Sequence, residues 1–414
     1  MHGDSDSGFL ASHLDQLLAD VAIRIQLSQS NFNKAVHRYG AVSQWIERND
    51  SPLKDRVELF YPQGSMAIGA TIASKLRTDE FDIDVVAQLM LPESVAPRVA
   101  LDLLFESIRG IQGSRYYNIT KRRSRCVTVD YSDNMHLDVT PAVLRLGYPE
   151  RESIIFHQRP ETPSDPGYPL IANPYGFAEW FKRETPSDLG FASVFKARAL
   201  RHEDLITEKM ADSEPVEPQE HPFRMSRSVI ALQLLKRWRN VQYDTRASRR
   251  PPSVMIAKLV ADASGQGMSL SDELLKQATH MLALFREHDF SGRLVNIVNP
   301  VCLDDVLTDR WPESLASQRI FVNDLEGLVA MLTRLVSGAA LDDMQGIMMR
   351  LFGEAPTSDV FREHGQRIGD AIAAGESRHD TGTGGLVVPT TGSSLGTGQP
   401  TQVRRTPRHR FFGD

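Results

Sequence analysis

Phe81-Asp82-Ile83-Asp84-Val85-Val86 decides how this chain is read. It is an apolar run with two carboxylates on alternate positions, so it reads as a strand with Asp82 and Asp84 on one face and Ile83 on the other. Two residues along a strand separate their Cα atoms by roughly 6.6 Å. Upstream, Val57-Glu58-Leu59-Phe60-Tyr61 reads as a second strand that Pro62-Gln63-Gly64-Ser65 turns away. Downstream, Cys126–Tyr131 and Met135–Val139 flank Ser132-Asp133-Asn134 and read as a hairpin. Its second strand carries Asp138 and can bring that acid beside the pair.

Three ionised carboxylates gathered this closely repel one another. At about 6 Å and an effective dielectric near 20, each pair costs roughly 3 kcal/mol. No Lys or Arg alternates with the acids to offset this. An oxygen-only donor set with no Cys or His suits Mg²⁺ or Mn²⁺ rather than zinc, and Mg²⁺ completes its shell with water and substrate phosphate. Gly64 lets a phosphate approach the backbone with no Cβ in the way, and Ser65 adds a hydroxyl and an amide donor. Asp82, Asp84 and Asp138 are thus candidate ligands for two divalent ions, and Gly64 and Ser65 candidates for cradling a nucleoside triphosphate. Gly64–Thr71 has the glycine spacing of a P-loop, but the position that needs lysine is Ala70, which rules that motif out.

These residues carry a resemblance. Gln63-Gly64-Ser65, Asp82-Ile83-Asp84 and Leu137-Asp138-Val139 resemble the motifs of the polymerase-beta-like nucleotidyltransferase superfamily. Within it the chain is most similar to the bacterial cGAS/DncV-like nucleotidyltransferases, the CD-NTases of CBASS anti-phage systems. Thr140-Pro141-Ala142, Ile171–Pro174, Glu179-Trp180-Phe181, Leu232–Trp238 and Asn299-Pro300-Val301 support the narrower assignment, and the likeness spans roughly residues 10 to 350. The resemblance implies an α+β, bilobed fold in which a mixed sheet lobe packs on a helical lobe. It implies a metal-dependent synthase that turns nucleoside triphosphates into cyclic oligonucleotides and pyrophosphate. It also implies that Lys236 reaches the phosphates of the bound nucleotide; from the residues alone, Lys236 beside Arg237 and Arg239 reads equally as a surface lysine. Three other readings use similar acids: a transferase adding nucleotides to RNA, a nucleotidyltransferase acting on small molecules or proteins, and a non-catalytic nucleotide sensor. An RNA track needs extended positive charge, whereas the net charge of this chain is −6.

The 414 residues, 41% hydrophobic, suffice for a large core or two coupled lobes. The expected division is a catalytic lobe over 1–150 with a long N-terminal helix, a helical lobe over 151–373, and a flexible tail over 374–414. Leu10, Leu14, Leu17, Leu18, Val21, Ile25 and Leu27 keep helical spacing within one or two helices over 10–48. A helix is expected near 96–109. Five prolines between 160 and 174 predict a loop, which Asn173-Pro174 ends as N-cap and first residue of a helix. An acidic loop follows over 204–222. From 226 to 351 nearly everything reads helical, with helices near 252–262, 271–287, 314–335 and 339–352.

Lys121-Arg122-Arg123-Ser124-Arg125 reads either as a solvated strand entry or as a rim attracting triphosphates. Cys126 and Cys302 lie in apolar surroundings and read as buried thiols, which suits a cytoplasmic protein. No signal peptide, membrane span or stable nucleic-acid partner is expected. After about 374 the Gly/Thr-rich composition cannot build a core, and the tail ends in Arg408-His409-Arg410-Phe411-Phe412-Gly413-Asp414. That ending is either inconsequential or, by the resemblance, a handle for an operon-encoded regulatory or ligase-like partner.

Overall fold

The computed structural model describes residues 10, 12–73, 81–148, 151–162, 164–209, 226–265, 268–374, 378–379, 386–387 and 403–404. By contacts the chain separates into two units, Met1–Gly353 and Glu354–Asp414. The first contains a mixed seven-stranded sheet and most of the helices, the α+β architecture that the resemblance implied.

The sheet is assembled around the hairpin. Strands β1 (Val57–Pro62) and β2 (Phe81–Leu89) pair antiparallel, and β2 then pairs parallel with β5 (Met135–Leu144). Strands β3 (Thr120–Arg122) and β4 (Val127–Asp130) complete the order β1-β2-β5-β4-β3. The β4–β5 turn closes with Tyr131 N–H donating to Met135 O at 3.0 Å. Its Asn134 takes φ 64°, a left-handed conformation that asparagine tolerates better than most residues. The alternation expected of the acid strands is present. Ile83, Leu137 and Val139 are buried in one core while Asp82, Asp84 and Asp138 take the other face. Each such apolar side chain contributes about 1.5–3 kcal/mol on burial, which pins the register and with it the acids.

Helix α1 (His13–Ile25) is capped by Ser12, whose hydroxyl accepts from Asp15 N–H at 3.0 Å. Helix α2 (Gln29–Ile46) follows after a break, which makes two helices of the one or two expected. There the backbone leaves the helix to bridge Gln26 with Ile72, and Ile25 O accepts from Ala73 N–H. A short α3 (Gly64–Ala67) and α4 (Pro97–Arg109) complete the sheet lobe; α4 buries Ala100, Leu101, Leu104 and Ile108. The sheet continues past residue 150 in β6 (Ser153–His157) and β7 (Tyr168–Ala172). Strand β7 occupies part of the proline-rich stretch expected to be a loop. Within the sheet it pairs only with β6, and such an edge is where a strand accepts Pro169.

Helix α5 (Pro174–Glu184) starts as expected, Asn173 Oδ1 accepting from Gly176 N–H at 2.8 Å. Helix α6 (Leu189–Lys209) is a departure: it runs into the segment read as an acidic loop, whose remainder, 210–222, lies outside the described residues. Phe191 and Phe195 anchor it one turn apart, and Arg198 makes a two-pronged ion pair with Asp20 of α1. Helix α7 (Arg227–Tyr243) is buried on nearly every face, the signature of a central helix. Around it stand α8 (Ser253–Asp262), α9 (Leu270–Phe290), α10 (Leu315–Val336) and α11 (Leu341–Phe352). A small hairpin, β8 (Val298–Asn299) with β9 (Cys302–Val306), interrupts a stretch read as helical. Asn299 explains it: fully buried, its amide donates to Asn173 O at 3.0 Å and to Asp305 Oδ2 at 2.9 Å, tying the hairpin to the start of α5.

The second unit begins with α12 (Glu354–Ala373). Beyond it the described residues form a small antiparallel sheet of β10 (Arg378–His379), β11 (Leu386–Val387) and β12 (Val403–Arg404), where no strand was expected. The rest of the expected tail, including Arg408–Asp414, lies outside the described residues.

Candidate active site

Parallel pairing of β2 with β5 sets Asp84 directly beside Asp138 and Asp82 beside His136. Neighbouring strands stand about 4.8 Å apart, so Asp84 and Asp138 form a tight pair and Asp82 completes the cluster along β2. Asp84 feels this crowding. Burial, then the charges of Asp138 and Asp82, push its carboxyl up to about 7, with Lys236 pulling the other way. Among the described residues neither Asp84 nor Asp138 has an ion-pair partner.

A cleft of about 220 Å³ opens on this face, lined by Gly64, Ser65, Asp82, Asp84, Lys236 and Arg239. Asn240, Arg250 and Ser253 lie on its helical wall. Five of the six residues singled out from the sequence therefore share one cleft. Asp138 stands beside Asp84, outside the cleft lining. Gly64 is required twice over: its φ is +57°, and a Cβ there would stand 3.0 Å from Asp84 Oδ2. Gln63 N–H donates to Asp84 O at 2.8 Å, holding the Gly-Ser turn against the acid strand.

Lys236 is not a surface lysine. It is 5% exposed, and its ammonium donates to Ala70 O at 2.6 Å. The position where a P-loop would carry its lysine thus receives one from α7. Burial, with Arg239 adding to it, lowers Lys236 to about 7, against the pull of Asp84. Its neighbours are buried as well and hold backbone. Arg237 donates to Phe352 O at 2.8 Å, and Arg239 donates to Pro251 O at 2.9 Å and Ser253 Oγ at 2.7 Å.

The basic run at 121–125 is largely spoken for. Lys121 pairs with Asp130, Arg122 with Asp102, and Arg125 with Asp309. Arg123 Nε donates to Thr128 Oγ1 at 3.4 Å. Cys126 and Cys302 are both free thiols, half-buried and buried respectively. Burial pushes the Cys126 thiol up, and the nearby Asp138 adds to the effect.

The donor set fits a hard divalent cation. Only carboxylate oxygens are clustered, and a cation would relieve the repulsion registered at Asp84. Among the described residues no three His, Cys, Asp or Glu side chains converge into a ligand cage. Mg²⁺ needs no such cage, since one or two carboxylates with water and substrate phosphates suffice. A second cavity, about 550 Å³, has aromatic walls from Phe32, Tyr39, Tyr61 and Tyr175. Its charged groups, Glu179 and Lys182, pair with each other at 2.8 Å, and it contains none of the acids.

Sequence reasoning missed Arg239, Asn240, Arg250 and Ser253. They reach the cleft only through the packing of α7 and the start of α8 on the sheet lobe, and no local pattern marks them.

Residues 10–159 match the family described as the Second Messenger Oligonucleotide or Dinucleotide Synthetase domain. The cyclic dinucleotide synthase CdnG of Bradyrhizobium diazoefficiens is 36% identical over 387 residues, covering 93% of this chain and 91% of that one. The chain belongs to the CD-NTase family of nucleotidyltransferases. A structure of that CdnG in complex with GTP superposes with a TM-score of 0.73 at 33% identity, covering 86% of this chain and 100% of the other. The c-di-GMP synthase of Roseivirga ehrenbergii is 26% identical over 347 residues, covering 83% of this chain and 85% of its own length. CdnC of Escherichia coli MS115-1, solved with ATP, shares the fold at a TM-score of 0.56 and 15% identity, covering 82% of this chain and 97% of that one.

Proposed function

We propose that the chain condenses nucleoside triphosphates, GTP among them, into a cyclic oligonucleotide within an anti-phage defence system. The carrying observation is the β2–β5 register, which lines up Asp84 with Asp138 and keeps Asp82 on the same face. Family membership supports the product class, and the GTP complex and the c-di-GMP synthase among the relatives support guanosine nucleotides.

In each joining step a ribose hydroxyl of the acceptor attacks the α-phosphorus of the donor. The new P–O bond forms as the bond to pyrophosphate breaks, and the hydroxyl proton leaves to solvent. Gly64 and Ser65 offer backbone approach and a hydroxyl to the donor triphosphate, and Lys236 and Arg239 supply positive charge on the opposite wall. Asp82 and Asp84 would hold the cation on the donor and, with Asp138, a second one toward the acceptor. Two Mg²⁺ or Mn²⁺ ions supply charge neutralisation and acidify the attacking hydroxyl. A second round in the same cleft closes the ring.

The functional division we propose has residues 1–150 carrying the catalytic acids and, of the expected lobe 151–373, the helices up to Gly353 closing the cleft. The tail beyond 374 serves as a handle for an operon-encoded partner. The two free thiols support a reducing, cytoplasmic site of action.

Incubating the protein with labelled ATP, GTP, CTP and UTP and Mg²⁺ or Mn²⁺, then treating with phosphatase, tests the reading. A phosphatase-resistant product containing guanosine is expected. A ladder on added RNA, or label transferred to protein or small molecules, would replace it with one of the alternatives.

A further inference from the structure

Thr128 lies opposite Asp138 across the β4–β5 hairpin, so that Asp84, Asp138 and Thr128 form one row across three strands. Its hydroxyl donates to Asp138 Oδ1 at 2.5 Å. On its other side it accepts from Arg123 Nε at 3.4 Å. This arrangement has a fixed direction. A guanidinium can only donate, so Arg123 occupies a lone pair of the hydroxyl; Cys126 is a hydrogen-bond neighbour as well, but a thiol is a weak acceptor beside a carboxylate, so the single proton goes to Asp138. Thr128 is 5% exposed, so water is not positioned to compete for that bond.

We propose that Thr128, tethered by Arg123, is a positioning residue for Asp138. It engages one carboxylate oxygen and thereby fixes the rotation of the other toward cation and acceptor. The inference rests on the proposed role of Asp138. It goes further by assigning Asp138's competence to a neutral side chain on a different strand. Partners one step removed from a metal typically carry 10–100-fold of its affinity or of activity, because a freely rotating carboxylate presents the correct oxygen only part of the time.

The test uses the full chain with Thr128→Val, which keeps the branched shape and removes the hydroxyl, and Thr128→Ser, which keeps the donor. Mn²⁺ affinity is measured by titration calorimetry in the presence of a non-hydrolysable GTP analogue, with kcat, KM and melting temperature alongside. The expected result is a roughly 10–100-fold loss in Mn²⁺ affinity and in kcat for Thr128→Val, little change in KM, and recovery to within about threefold in Thr128→Ser. Wild-type Mn²⁺ affinity and kcat in Thr128→Val would overturn the proposal. So would equal losses in Val and Ser tracking a lowered melting temperature, which mark a packing role. Asp138→Asn is measured in parallel. If it is inactive while Thr128→Val is not, only the positioning role fails; if it is fully active, the role of Asp138 fails and this inference with it.

Discussion

Strand β2 and helix α7 bring charged side chains of opposite sign to one cleft, β5 setting Asp138 just beside it, and they do so by different physics. On the strands, alternation puts every second residue on the same face, so Asp82, Asp84 and Asp138 follow from the burial of Ile83, Leu137 and Val139. Slipping the register by one residue would bury the acids and expose the apolar set. On α7 no such rule operates, because the helix is buried all round. Lys236, Arg237 and Arg239 are each about 95% removed from solvent, yet one lines the cleft beside the acids while another holds the far end of α11. Local pattern specifies the acids; only tertiary packing separates the cation that lines the cleft from the one that holds α11.

The sharpest way to break this contrast is to remove the acids. Asp82→Ala together with Asp84→Ala should lower nucleotide turnover by roughly 10³-fold or more. The melting temperature should hold or rise, since two mutually repelling carboxylates leave the apo protein. Turnover near the wild-type level would dissolve the site; a collapsed fold would mean the acids are structural like Arg237.

The α7 cations should divide next. Arg237→Ala strips the partner from a buried carbonyl and should cost about 3 kcal/mol of stability in denaturant titration, with KM for the nucleotide unchanged in the surviving folded fraction. Lys236→Met should do the reverse, raising KM for the triphosphate by about tenfold, worth ~1.4 kcal/mol, with a smaller loss of stability. Equal outcomes in the two variants would show that burial, which the two residues share, and not proximity to the acids governs both.

The contrast also accounts for what was legible beforehand. The acid strands, the β4–β5 hairpin, α4 and the Asn173 cap all rest on short-range signals and appear where the sequence puts them. Thr128 was not singled out, although pairing Tyr131 with Met135 across a three-residue turn counts back to Thr128 opposite Asp138. Helix α6, the β8–β9 hairpin and the position of the break after Ile25 were not legible. Each depends on a distant partner: Asp20 for Arg198, Asn173 for Asn299, and Ile72 for Gln26. Arg239, Asn240 and Arg250 belong with them, since their approach to the cleft is a property of how two lobes pack.

Titration gives a finer separation of the two regions. Asp84 moves from 3.8 up to about 7, so between those values the folded chain binds a proton that the unfolded chain has released. Stability contributed through Asp84 therefore falls as pH rises across that window. Lys236 moves from 10.5 down to about 7, so there the unfolded chain binds the extra proton and stability rises with pH. Subtracting the profile of Asp84→Ala from that of the wild type should isolate the first limb, and saturating Mn²⁺ should flatten it while leaving the lysine limb. A limb indifferent to Mn²⁺ would sever Asp84 from the cation.

The smallest effects come from two glycines. Gly64 sits at φ +57° with Asp84 Oδ2 3.0 Å from where a Cβ would be, whereas Gly40, within α2, has nothing within 4 Å of that point. Gly64→Ala should lose about 1–2 kcal/mol from the left-handed backbone alone. It should lose more in turnover than stability explains, because the methyl displaces a carboxylate that the cleft needs in place. Gly40→Ala should gain about 0.5–1 kcal/mol by restricting the unfolded chain, with turnover unchanged. Paired denaturant and kinetic measurements on the two variants separate strain at the acid strand from ordinary helix propensity. If Gly64→Ala loses stability but keeps full turnover, the Gly-Ser turn only closes the strand and does not shape the cleft around Asp84.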